Sequence, residues 1–351
     1  MQRSQFDFPF DPGLIAAKPI LPRDQARLLI LNPPTRSLGH RKIADLPELL
    51  SPGDVLVVND TRVRPARVFG RKRSSGRRVD VLFVKEVDAR TWEVLLKGRW
   101  CAGQTIEIDD QISLTLLDRG ERRTLARIEG PITPSQLFRR YGKMPLPPYI
   151  KRAPVDQDSE WYQTLFAQNE GAIAAPTAGL HFTPGLLNRL MDREIGLAKV
   201  TLHVGTGTFM PVTVDRIEDH QMGSEWVDVG IESIRKIQHA KKAGGKIVAV
   251  GTTVVRALET AASEADSLRP YEGETSLYIT PGFRFRVVDA LLTNFHLPET
   301  TLLMLVSAFT GVGFLRQAYE EAVRERYRFY SYGDAMLILS AAQASEHELD
   351  K

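Results

Sequence analysis

The sequence predicts an α/β protein broken by a small all-β barrel or sandwich, on three observations. Residues 55–58 (VLVV) are a continuous apolar run, the pattern of a strand buried on both faces, and 246–250 (KIVAV) reads as a second buried strand. Helical patterns opened by threonine alternate with them, one at Thr183-Pro184 and one at Thr252-Thr253. Between about residues 68 and 130 the character changes to short β-branched segments. RVDVLFVKEV, TWEVLLKG, QTIEI, ISLTLLD and RTLARIEG are parted there by Gly76, Gly98, Gly103 and Gly120.

The first 50 residues hold Pro9, Pro12, Pro19 and Pro22, which forbid a long early helix. Residues 26–31 read as a strand, and IADLPELLSPGD as a short helix closed by Pro52-Gly53. The buried strand at 55–58 ends in Asn59-Asp60-Thr61-Arg62, a polar cluster at the place where α/β folds meet ligands. The first hairpin of the β segment carries RKRSSGRR, residues 71–78, which suits a solvated turn or an RNA phosphate contact. Residues 131–160 read as a linker stiffened by Pro145, Pro147 and Pro148. Arg139, Arg140, Lys143, Lys151 and Arg152 flank these prolines, interleaved with Tyr141 and Tyr149. That mixture suits single-stranded nucleic acid, and equally a domain junction packed by tyrosine.

The α/β character returns after Trp161. In the helix that starts at Thr183-Pro184, Leu186, Leu187, Leu190, Met191 and Ile195 fall on one face. VTLHV at 200–204 is a strand, followed by GTGTF and a further strand, MPVTV. A helix over 231–243 ends at Gly244-Gly245. Beyond the strand at 246–250, Gly251-Thr252-Thr253 opens a helix with Arg256 in its first turn, a setting that favours an anion. LYIT, FRFRVVD and ALLTNF read as strands, with Phe283, Phe285 and Val287 on one face. Thr300-Thr301 then start a nearly all-apolar central helix.

The 351 residues leave room for two domains, and 43% apolar with 25% charged residues is a globular composition. No stretch reaches the roughly 18 apolar residues that span a bilayer. The N-terminus carries Asp7 and prolines where a signal peptide needs an apolar run, so the expectation is a cytoplasmic protein with no membrane partner. The single cysteine, Cys101, excludes an intrachain disulfide and a multi-cysteine zinc site, and the seven histidines show no metal-ligand spacing; no metal is expected. A net charge of +3 confines any nucleic-acid binding to local patches.

Four strand ends carry similar equipment: NDTR at 59–62, LHVGTGT at 202–208, GTTVVR at 251–256 and TNFH at 293–296, with the loop PTAGLH beside them. Threonine, asparagine, histidine and glycine with few carboxylates suit a polar, hydroxyl-bearing ligand such as a sugar or nucleoside. His181, His203 and His296 supply acid–base groups near neutral pH. A dinucleotide or methyltransferase glycine loop is rejected: after Gly205 and Gly207 the third glycine is replaced by Met210, and Pro211 follows in place of a helix start. There is no GxSxG elbow and no Walker or zincin motif.

These strings, together with FDFPFDPGLIA, GDVLVVNDTRVRPARVFG, MPLPPYIKR, AAPTAGLHFT, TLHVGTGTFMPV, AVGTTVVRALE and DALLTNFHLPETTLLMLVSAF, resemble the S-adenosylmethionine:tRNA ribosyltransferase-isomerases of queuosine biosynthesis. The resemblance runs from Phe6 to about Leu339. One departure is Gly223 in HQMGSEW, where the family usually has a second histidine. The resemblance implies an α/β main domain with a mixed sheet flanked by helices, residues 1–67 and 146–351. A smaller all-β barrel-like domain, residues 68–145, is inserted in it together with the basic linker. It implies S-adenosylmethionine as a consumed ribosyl donor and no cofactor. The implied acceptor is 7-aminomethyl-7-deazaguanine at the tRNA wobble position, and the products are epoxyqueuosine-tRNA, adenine and methionine. Rival readings are an S-adenosylmethionine-dependent RNA methyltransferase and a non-catalytic RNA-binding protein.

Such chemistry needs a base for the acidic proton beside the sulfonium and an acid for the departing adenine. His181 or His203 is the expected base, with His296 and Glu225 behind them. Asp60, Arg62, Thr177, Gly205, Thr206, Gly207, Thr252, Arg256 and Asn294 are expected to bind the donor. Arg71, Lys72, Arg73, Arg139, Arg140, Lys143, Lys151 and Arg152 are expected to meet tRNA phosphates.

Overall fold

The structure is a computed structural model that describes residues 1–98, 100–119, 124–205, 212–263 and 267–340. Nine strands form one sheet in the order Tyr271–Thr275, Glu225–Val229, Gly196–Leu202, Val55–Asn59, Ile247–Val250, Ala290–Asn294, Ala335–Ile338, Arg27–Asn32 and Ser37–Lys42. The central four, Gly196–Leu202 through Ala290–Asn294, are parallel to one another. Both flanks add antiparallel pairings, so the sheet is mixed.

The apolar runs form central strands because side chains alternate between two covered faces. Val55 and Val57 pack into one layer with Leu202, Ile237 and Val255. Leu56 and Val58 pack into the other with Leu186, Leu190 and Leu292. Thr183 caps Pro184–Asp192, its hydroxyl accepting from the Leu186 amide at 3.1 Å. Met191 departs from the expected face and is 55% exposed, whereas Leu186, Leu190 and Ile195 are buried in the layer under the sheet and Leu187 packs partly against it. In Thr252–Ser263 residues 252–262 are all buried. At Gly311 (φ 75) Thr301–Thr310 gives way to Val312–Arg324 with a bend of 110°. Among the described residues no single helix is long and apolar enough to cross a membrane.

The β-rich segment closes into a six-stranded antiparallel barrel: Thr124–Glu129, Thr91–Leu96, Arg78–Glu86, Arg67–Lys72, Thr105–Glu107 and Ser113–Arg119. The expected linker contains a helix, Pro134–Tyr141, because Thr133, Pro134 and Gln136 form a capping box. Its Phe138 plugs the barrel, packing edge-on to Phe83 and Trp92 at 5.1 and 5.2 Å.

Two expected strands are absent. LYIT and FRFRVVD run without ladder pairing; in FRFRVVD the buried carboxylate of Glu259 accepts the amides of Arg286, Val287 and Val288 at 2.9–3.1 Å. A side chain thus supplies what a partner strand would have supplied. Residues 212 and 213 of MPVTV are also outside any strand.

Candidate active site

The four central parallel strands deliver their C-terminal ends to one edge of the sheet, as open α/β sheets do at ligand sites. Asn59 ties that edge together. Its Nδ2 donates to the Leu202 carbonyl at 2.9 Å and to Thr253 Oγ1 at 3.2 Å. Its Oδ1 accepts the amides of Thr61 and Leu202 at 3.0 and 3.1 Å. Gly251, at φ 96, makes the turn into Thr252–Ser263 that other residues rarely adopt.

A cleft opens on this edge, lined among others by Thr177, Thr252, Thr253, Asn294, His296 and Thr300, together with Tyr149 and Tyr330. Thr177 donates to Asn294 Oδ1 at 2.9 Å, while Asn294 Nδ2 lies 3.1 Å from the Tyr330 carbonyl and 3.2 Å from His181 Nε2. His181 is therefore held behind Asn294, buried, and burial, helped by Arg23 and Arg328, pushes its pKa down to about 3. His296 is buried too, 2.8 Å from the Thr293 hydroxyl, and burial pushes it to about 3.

Both imidazoles are neutral in the fold, whereas an unfolded histidine titrates near 6.5. Protons then bind the unfolded chain first, so the stability these groups confer is whole above about pH 6.5 and is lost as pH falls toward about 3. Each contributes a slope of roughly 1.4 kcal/mol per pH unit within that window. Urea midpoints are expected to fall as the pH drops from about 7 to 5, and the slope is expected to be shallower in His296→Gln. Identical slopes in the two proteins would contradict this.

His203 sits at the neighbouring strand end, half-buried, with Nδ1 2.8 Å from Thr61 Oγ1 and its ring stacked on Trp226 at 5.0 Å and 18°. Burial first, then Arg64, lowers its pKa, and Asp60 opposes them. Among the described residues its Nε2 has no hydrogen-bond partner. Asp60 is itself committed to the sheet: its Oδ1 accepts from Thr201 at 2.6 Å and Asn169 at 3.2 Å. Arg62 is exposed beside it.

A third group is buried beyond Gly205. Glu225 accepts the Gly205 amide at 2.8 Å and pairs with Arg256, whose Nε also donates to the Leu277 carbonyl at 2.9 Å. This pair braces the chain leaving Gly205. Thr206 and Gly207 lie outside the described residues.

A groove beside the barrel is lined by Arg62, Arg64, Arg139 and Lys143 with Trp92 and Phe138, and also by Glu86, Asp156 and Glu170; Lys143 pairs with Asp156 at 3.1 Å. Of the other expected phosphate contacts, Arg140 lies over Tyr141 at 5.0 Å and Lys151 is exposed. In the 71–78 hairpin, Arg71 donates to the Gly76 carbonyl at 3.1 Å, Lys72 covers Trp100 at 5.0 Å, and Arg73 pairs with Glu107 at 2.7 Å. Arg152 departs from the expectation. Its guanidinium makes two 2.7 Å bonds to the buried carboxylate of Asp158 and is engaged within the fold. Among the described residues no cluster of three histidine, cysteine or acidic side chains is placed to hold a metal.

The family model described as queuosine biosynthesis protein matches residues 3–338. The chain belongs to this family. Relatives within the queuosine biosynthesis family include two proteins named S-adenosylmethionine:tRNA ribosyltransferase-isomerase. That of Xanthomonas oryzae pv. oryzae is 46% identical over 97% of this chain and 98% of its own. That of Pelobacter propionicus is 47% identical over 95% and 98%. A crystal structure of S-adenosylmethionine tRNA ribosyltransferase from Thermotoga maritima aligns over 96% of this chain and all of its own, at 37% identity and a TM-score of 0.56. Gly223 faces open space: an added Cβ would meet nothing within 4 Å.

Asn59, Thr61, Tyr330 and Trp226 have roles at this edge that the sequence did not single out. Asn59 and Thr61 lay inside the NDTR cluster. Tyr330 and Trp226 carried no local signal, since only the return of distant chain places them.

Proposed function

We propose that this chain transfers the ribosyl part of S-adenosylmethionine to tRNA and isomerises it. The acceptor is 7-aminomethyl-7-deazaguanine at the wobble position, and adenine and methionine are released. The observation that carries this reading is the convergence of NDTR, His203, GTT and TNFH on one sheet edge in a member of the queuosine biosynthesis family. The protein is a transferase of the ribosyltransferase-isomerase type.

In this reading Thr177, Thr252 and Asn294 orient the donor in the cleft, and the N-terminal end of Thr252–Ser263 faces its carboxylate. His203 takes the acidic proton beside the sulfonium. An Nδ1–H donated to Thr61 leaves the Nε2 lone pair free for that proton, and the lowered pKa keeps the ring neutral before the reaction. His181 is assigned to holding Asn294. Its pKa of about 3 makes it a poor proton acceptor at neutral pH.

Incubation with S-adenosylmethionine and tRNA bearing the deazaguanine precursor is expected to release free adenine and methionine. S-adenosylhomocysteine as product would replace this reading by a methyltransferase. tRNA binding without turnover would replace it by a binding protein.

The basic groove is assigned to tRNA phosphates. Changing Arg62, Arg139 and Lys143 together to glutamine is expected to weaken tRNA binding. The dependence of log Kd on log salt should become shallower by about 0.7–0.9 per lost contact. An unchanged salt slope would move the tRNA elsewhere.

A further inference from the structure

We infer that Gly171 and Trp226 form a slot that fixes the imidazole of His203, which makes Gly171 a positioning residue for the proton transfer; this rests on the assignment of His203 as the base. Asn169–Ala172 pairs in parallel with Thr61–Val63, and the register slips between Glu170 and Ala172. Gly171 is thus the extra residue of a bulge, a device that re-aims backbone beside functional sites. The segment is anchored on both sides: the Arg64 amide donates to Ala172 at 2.9 Å, and the Ile173 amide to Val204 at 3.1 Å.

The bulge drives the Gly171 backbone onto His203. A Cβ built on Gly171 would fall inside van der Waals contact with Cδ2, Cε1 and Nε2 of the ring, at equal distance from all three. A point equidistant from those atoms and off the ring plane lies over the ring face. That face has no room for another ring, so the stacked Trp226 covers the opposite one. Thr61 holds Nδ1 at 2.8 Å, and the His203 amide donates to the Trp226 carbonyl at 3.0 Å. Ring tilt, ring rotation and backbone position are all constrained, and the Nε2 edge is the part left to meet a reactant. Gly171 has no positive φ, so its lack of a side chain answers to the ring and not to the backbone.

The test compares Gly171→Ala, His203→Ala and the double variant, with adenine release measured at saturating tRNA. Gly171→Ala is expected to lower kcat by about 100-fold, the cost of misplacing a reacting group by roughly 1 Å, with KM for S-adenosylmethionine within about threefold of the parent. The double variant is expected to be no slower than His203→Ala alone, because both changes remove the same step. The pH dependence of the residual Gly171→Ala activity is expected to lose the limb that reports His203. Near-normal turnover in His203→Ala would sink the base assignment itself. An inactive His203→Ala beside a Gly171→Ala of near-normal kcat would sink the slot alone, as would losses that multiply in the double variant. Should Gly171→Ala fail to fold, Trp226→Leu opens the slot without adding atoms over the ring. It is expected to lose about tenfold in kcat at nearly constant KM, and unchanged kcat would overturn the slot.

Discussion

His203→Ala is expected to lower kcat by about 10²–10⁴-fold, the usual worth of a positioned acid–base group, with little change in thermal stability. The ring is half-buried and bonds to the protein through Nδ1, so its loss leaves only Thr61 without that partner. His181→Ala should behave differently. It removes the group that holds Asn294 and opens a cavity in a fully enclosed place, so about 1–3 kcal/mol of stability should be lost. Adenine release and urea unfolding, measured on both variants, separate the two roles. A stable, inactive His181→Ala beside a fully active His203→Ala would reverse the assignment.

Glu225→Ala is expected to cost about 3–5 kcal/mol of stability, because it leaves the buried guanidinium of Arg256 without its carboxylate. The carbonyls of Thr275 and Leu277 still accept from Arg256, but neither carries charge. The same change frees the Gly205 amide, so this strand end loses an anchor and turnover should fall as well. Chemical denaturation followed by tryptophan fluorescence measures the first effect. A loss below about 1 kcal/mol, the level of an exposed ion pair, would show that Arg256 reaches water in the variant. Conversion of both residues to a matched apolar pair is the informative control, since removing the two charges together avoids the unpaired state.

Much of the candidate site was legible because it lies at strand ends. A continuous apolar run closed by a polar cluster marks where a buried parallel strand surfaces, and VLVV-NDTR and IVAV-GTT both carry that mark. The barrel was legible for a similar reason, since short β-branched segments cut by glycines close on themselves. FRFRVVD misled because alternation reports two-sided packing, and Glu259 satisfies its amides in place of a neighbouring strand. Arg152 misled because its charge is visible in sequence, whereas Asp158, six residues away, takes it only once the chain folds back.

By itself the sequence determined the two-part architecture, the strand ends that carry the polar clusters, and the family, because periodicity, capping and motif strings are local properties of the chain. Only the tertiary structure sets the three histidines in different surroundings, and the proposed choice of His203 rests on that difference. His181, His203 and His296 all stand in polar turns, and nothing local tells them apart. Burial deep in the fold drives His181 and His296 to about 3, while a bulge at Gly171, a stack on Trp226 and a hydrogen bond between Nδ1 and Thr61 hold His203 half-exposed. Desolvation and ring packing depend on residues far apart in the chain, so they exist only after folding.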